Sequence, residues 1–256
     1  MSTGNRKRTK SLIRVLMTFT VVVILLAIWY YNRSNQSVDP RVVPARKLYE
    51  GYNALAREND FASVIHLLDT IESIYNKYPH YRQSFETGVI ENNRAAVYLT
   101  LGIYYDSLSS VYHYLGPDSL ISLGELSVKN SINIYERWER NFSGRNEQEI
   151  RELIRDSFIK GLSGQSDEEL ESYLDSRVEE IMSASQETPR RLSVSYTNLG
   201  IVYRYREDYQ GAVDCYKKAM DLWEDNLTAE NNLNLLLGRP MKKRSFIKKL
   251  FPESKE

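Results

Sequence analysis

Between Ser193 and Asn226 large and small residues alternate at helical spacing, and this stretch limits the fold more than any other. Tyr196 is followed by Leu199-Gly200 and Tyr203, then by Tyr209, Ala212, Tyr216 and Ala219. Residues three, four and seven apart share one face of a helix, so small residues on one helix leave hollows for rings on its neighbour. The spacing predicts two antiparallel helices locked together, with Tyr196, Leu199, Gly200, Tyr203, Tyr209, Ala212, Tyr216 and Ala219 as the packing residues. Elsewhere, 12 Gly and 7 Pro in 256 residues leave few breaks. Abundant Leu, Glu, Tyr and Ala favour helices throughout.

The pattern at 193–226 resembles the tetratricopeptide repeat, a helix-turn-helix unit of about 34 residues. That resemblance implies an all-α fold, a solenoid of stacked helical hairpins that binds other proteins and does no chemistry. Two positions depart from the family: Tyr196 replaces the usual Trp, and Glu224 stands where the closing Pro usually sits. Aligned on this repeat, residues 88–140 form a second unit with a longer connection. Ala95 and Tyr98 take the places of Gly200 and Tyr203, and the first helix ends at Leu101-Gly102. Residues 45–78 form a weaker unit, with Leu48, Tyr52, Leu55 and Ala56 on one helix face and Phe61 in the place of Tyr209. Residues 143–188 read as a helical hairpin without the fingerprint, either stacked in the solenoid or an excursion from it. Thr188-Pro189 reads as a helix start, an N-cap followed by Pro at the first helical position. A capping helix at 227–237 stops at Gly238-Arg239-Pro240.

The alignment also brings Asn93, Asn198 and Asn232 to equivalent positions, two of them inside the tripeptides Glu91-Asn92-Asn93 and Glu230-Asn231-Asn232. An Asn amide both donates and accepts, so it can hold a peptide backbone without reading side chains. This resembles the asparagine ladder of peptide-binding tetratricopeptide proteins. The other reading is small polar residues on one helix face. Ile201, Arg204, Tyr205, Ala96 and Leu99 are the neighbouring candidates for contacts to a bound segment. A clamp for a peptide carboxylate needs paired cations, and Arg94 and Arg204 are poorly placed to supply them.

The net charge of zero hides segregation. Residues 1–33 carry six basic groups and no acid, while residues 34–238 carry 21 basic and 32 acidic groups. An acidic body argues against nucleic acid as a partner. Residues 12–31 are apolar apart from Arg14, and about 20 helical residues span the ~30 Å core of a bilayer. A single transmembrane helix is therefore expected ahead of the solenoid, flanked by a basic N-terminus at 1–11 and a polar linker at 32–44. A cleaved signal peptide is the rival reading, but this run is longer and no small-x-small cleavage site follows it. Arg6, Lys7, Arg8 and Lys10 favour a cytoplasmic N-terminus, with the solenoid exoplasmic, or periplasmic in a bacterium. The basic tail at 239–256 is read as a membrane-surface contact or a solvated end.

The single cysteine, Cys215, precludes an intrachain disulfide and reads as a buried apolar residue. No catalytic or phosphate-binding motif occurs, and His66, His80 and His113 are dispersed. The expectation is a non-enzyme without cofactor or metal. Its partners would be other proteins or peptide segments, with self-association through solenoid edges, or service as an enzyme's accessory subunit, as alternatives.

Overall fold

The structure, a computed structural model, describes residues 38–108, 112 and 114–243. Among these residues there are ten helices and no strand. They are α1 (Val43–Tyr49), α2 (Tyr52–Arg57), α3 (Phe61–Asn76), α4 (Phe85–Ile103), α5 (Tyr105–Leu108), α6 (Pro117–Phe142), α7 (Glu147–Ile159), α8 (Asp167–Tyr205), α9 (Tyr209–Leu222) and α10 (Leu227–Leu236). None of them is long and apolar enough to cross a membrane. The expected span at 12–31, the N-terminus at 1–11, His113 and the tail beyond Lys243 lie outside the described residues.

The C-terminal part of α8 and all of α9 form the hairpin whose spacing stood out in the sequence. A Cβ added at Gly200 would lie 2.5 Å from the Tyr216 ring, so only glycine allows this approach. Leu199, Ala212, Tyr216 and Ala219 are buried, and Tyr196 and Tyr203 are half-buried. Tyr209 corrects the expectation: it is 55% exposed, because it is the first residue of α9 and points away from α8. The exit turn is closed by Asn226 rather than by a proline. Its carbonyl oxygen accepts from Ala229 N–H at 3.0 Å, capping α10. Its amide nitrogen donates to the Ser193 and Thr197 hydroxyls at 2.8 and 2.9 Å.

The α4–α6 hairpin packs as closely by the same device, repeated along its length. A Cβ at Gly88 would meet the Tyr135 ring at 2.7 Å, one at Gly102 would meet Ile121 at 2.8 Å, and one at Gly124 would meet Leu99 at 2.8 Å. All three contacts share one antiparallel register. Gly88, Ala95 and Gly102 are seven residues apart, as are Ile121, Val128 and Tyr135, so a ridge of small residues faces a ridge of large ones. Ala95 thus packs where the alignment expected, while Tyr98 is only half-buried, near Tyr112 at a ring separation of 6.4 Å.

The first turn repeats the last. Asn59 and Glu207 both adopt left-handed backbone, with φ of 56° and 61°. The following Asp60 and Asp208 each cap a helix, accepting from the N–H groups of Ser63 and Gly211. Phe61 therefore stands where Tyr209 stands. The helix before this turn is broken at Glu50-Gly51 into α1 and α2, where a single helix was expected. The stretch expected to be a linker is also anchored in part. Val42 and Asp39 are buried, and Asp39 holds the Arg41 guanidinium at 2.7 Å and accepts from the Tyr81 hydroxyl at 2.8 Å.

The hairpin at 143–188 belongs to the stack. Ile150, Ile154 and Phe158 of α7, with Leu174, Val178 and Ile181 of α8, share one core with Leu68, Ile90 and Trp138. Both of its helices start with capping boxes, at Asn146 and Ser166. The expected helix start at Thr188-Pro189 is not one. Pro189 lies inside α8, whose 39 residues run unbroken past it. An internal proline costs about 3 kcal/mol. Packing offsets that cost: Thr188 and Leu192 are buried, and α8 lies against α6 and α9 on this stretch. The Thr188 hydroxyl bonds back to Ala184 O at 2.8 Å.

Candidate functional site

A groove of about 690 Å³ opens between α1, α3, α4 and α8. Its floor is apolar, with Ile71, Tyr75, Phe85, Val89, Ile90 and Ala184; charged residues stand at its edge. The α8 wall runs from Ser176 to Arg191, and its last residue lies beyond Pro189 on the same unbroken helix. Val38 also lines the groove.

A buried ionic network supports one side of the groove. The Arg177 side chain is 2% exposed. It donates to Glu86 at 2.5 Å, to Glu180 at 3.0 Å and to His80 Nε2 at 3.2 Å, and it stacks 4.6 Å over the Tyr81 ring. Glu180 also pairs with Arg46 of α1 at 2.6 Å. Because Nε2 of His80 accepts, its proton sits on Nδ1, facing the Ser157 hydroxyl at 3.4 Å. Burial, then the charge of Arg177, pushes the His80 pKa down to about 3. Burial would raise the Glu86 carboxyl, but the charge and hydrogen bonds of Arg177 outweigh it and bring it down to about 2. Glu86 is therefore a carboxylate and His80 neutral at ordinary pH.

The predicted asparagines lie near this groove and beyond it. Asn93 donates to the Tyr49 hydroxyl at 2.8 Å, and Tyr49 lines the groove. Asn198 donates to Asn92 Oδ1 at 3.0 Å, joining α8 to α4 at the level of Asn93. Asn232 of α10 accepts from Arg204 at 3.2 Å. Asn93 and Asn198 thus bond different partners, Tyr49 of α1 and Asn92 of α4, and Asn232 forms a separate pair with Arg204. All three are half-buried and each has a partner within the fold. Ile201 is half-buried against Ala212, Tyr216 and Leu233, and Ala96 is half-buried on α4. Leu99, expected beside the groove, lies instead in the α4–α6 core at 3% exposure, because it faces Gly124. Tyr205 bonds to Asp118 at the start of α6. Arg94 is committed to Asp69, Glu72 and Glu91, at 3.0, 2.5 and 2.9 Å. Among the described residues no group of three or more His, Cys, Asp or Glu could hold a metal ion.

Sequence reasoning missed Asn92, which is the amide that reaches α8, and the Arg177 network. Asn92 lay within the tripeptide already singled out. Arg177 offered little local signal: Glu180 is three residues away, but Glu86 and His80 are 91 and 97 residues away in the chain.

The described residues thus form an all-α fold of packed helical hairpins with a groove among them. The family model described as tetratricopeptide repeat matches residues 193–226, the α8–α9 hairpin and its exit turn. No curated protein and no solved structure matches the chain. A repeat of this kind supports a protein–protein interaction scaffold in general, and such repeats are typically non-catalytic.

Proposed function

We propose that this protein is a membrane-anchored scaffold that takes a segment of another protein into the groove between α4 and α8 and helps recruit or assemble it at the membrane. The observation that carries the reading is the groove itself, with its apolar floor and charged rim. Apolar surface supplies binding energy, and a few placed polar groups set orientation. Asn93 is linked to the groove through its hydrogen bond to Tyr49, which lines it. The anchor rests on the apolar run at 12–31, and the basic residues ahead of it favour an exoplasmic stack.

A photo-crosslinking amino acid at Ser183, which is exposed on the groove wall, tests the site in native membranes. The expected result is a discrete crosslinked protein that a probe at Glu147, at the start of α7, does not capture. Identical products from the two probes would remove the groove from the proposal. A C-terminal reporter active only in the cytoplasm should stay silent. Self-association is a second reading, favoured by exposed Leu235, Leu237 and Met241 at the end of the stack. The mass of the purified full chain, monomeric or dimeric, decides it.

A further inference from the structure

We propose that Glu230 and Asn231 form a clamp for an extended, lysine-bearing segment, occupied by the chain's own C-terminal arm. Asn231 of α10 meets the backbone of Lys242 at two points. Its Nδ2 donates to the Lys242 carbonyl at 3.0 Å, and Lys242 N–H donates to its Oδ1 at 2.7 Å. One side-chain amide thus satisfies both backbone groups of one residue, as a hydrogen-bonded residue of a neighbouring antiparallel strand would. That pair reads an extended backbone and no side chain. Selectivity comes from Glu230, whose carboxylate holds the Lys242 ammonium at 2.5 Å.

The approach to the clamp is built into the chain. Gly238 takes left-handed backbone, with φ of +65°. Its N–H donates to Leu235 O at 3.3 Å, and Arg239 N–H donates to Asn234 O at 2.8 Å, the bond pair of a Schellman helix stop. Pro240 cannot resume the helix. The arm therefore turns back along α10 and brings residue 242 to Asn231. Asn231 belongs to the tripeptide Glu230-Asn231-Asn232, whose earlier copy contains Asn92. The capacity of this motif to hold backbone is realised at its middle residue, on the chain itself.

The arm is a removable occupant. Lys242 is exposed, so its ion pair is screened by water and contributes little alone. Each hydrogen bond shifts an equilibrium by about tenfold or less. An extended lysine-bearing segment from another chain can compete for the same contacts.

Amide hydrogen exchange at Lys242, read by NMR on the full chain in detergent, tests this. Exchange should be about tenfold slower in the wild type than in Asn231→Ala. Asn231→Asp keeps the acceptor for Lys242 N–H and loses the donor, and should fall between the two. A synthetic peptide of residues 239–248 should raise the wild-type rate, with saturation, to that of Asn231→Ala. The same peptide carrying Lys242→Glu should not. Equal rates in the wild type and Asn231→Ala would overturn the clamp. Slowed exchange that no concentration of peptide relieves would overturn the exchangeable occupant.

Discussion

The two ends of the stack are held by different means. The C-terminal hairpin, α8 with α9, closes by removing side chains: Gly200 lets the Tyr216 ring approach, and Asn226 ties the exit turn to Ser193 and Thr197. The groove end adds charge, with Arg177 of the first half of α8 buried between Glu86 and Glu180 beside the groove. Close packing needs only the right residue sizes at the right spacing, so it can be written locally and repeated. A buried ion pair needs partners brought from distant parts of the chain, and losing one partner leaves the other unpaired away from water. The fingerprint end should therefore tolerate acid and single polar substitutions better than the groove end.

The largest effect that tests this contrast is Arg177→Leu, which strands Glu86 and leaves Glu180 only its pair with Arg46. It should cost about 3–5 kcal/mol in chemical denaturation, and the combination with Glu86→Gln should recover part of that. Hydrogen exchange should rise in α3, α4 and the first half of α8 while α9 and α10 keep their protection; a uniform rise would erase the distinction between the ends. Acid probes the same network. Glu86, held at about 2 against an ordinary 4.5, contributes stability that is complete above pH 4.5 and lost as pH falls toward 2. His80, held at about 3 against 6.5, adds a loss in the same direction between pH 6.5 and 3, because the unfolded chain takes up a proton that the folded one refuses. Exchange protection should thus fail at the groove end first as the pH is lowered.

Gly200→Ala and Gly88→Ala come next, each overpacking against a tyrosine ring at a cost of about 1–3 kcal/mol. Similar losses, each confined to its own hairpin, would show that the two glycines do one job in different surroundings. Asn226→Ala removes a cap and two buried hydrogen bonds, and should cost about 1–2 kcal/mol by denaturation. Tyr209→Ala should stay within about 0.5 kcal/mol despite its place in the fingerprint, because the side chain is exposed. A larger loss would return Tyr209 to the packing set.

Much of the C-terminal hairpin was legible because its determinants lie within one repeat. Leu199, Gly200, Ala212, Tyr216 and Ala219 all pack as their spacing predicts, and Gly238 and Pro240 stop α10 as their residue types require. The α4–α6 pairing was legible less completely. The repeat fingerprint includes Ala95 but not Gly88 and Gly102, which join the same ridge through a seven-residue interval that the fingerprint does not contain. Of the candidate contacts, Asn198 meets Asn92 rather than Asn93, and Leu99 turns inward, because helix-face arguments cannot say which neighbour a face meets. The expected span at 12–31 stays a reading of the apolar run.

By itself the sequence determined the helical class, the hairpin at 193–226 and the stop after α10, each a matter of residues within a few turns of one another. Tertiary structure decided that α8 runs through Pro189, since burial of Thr188 and Leu192 outweighs the local preference for a break. It also decided where the groove lies. Its wall, its floor and the Arg177 network draw on residues from Val38 to Arg191, and no local spacing encodes contacts made only when four helices converge.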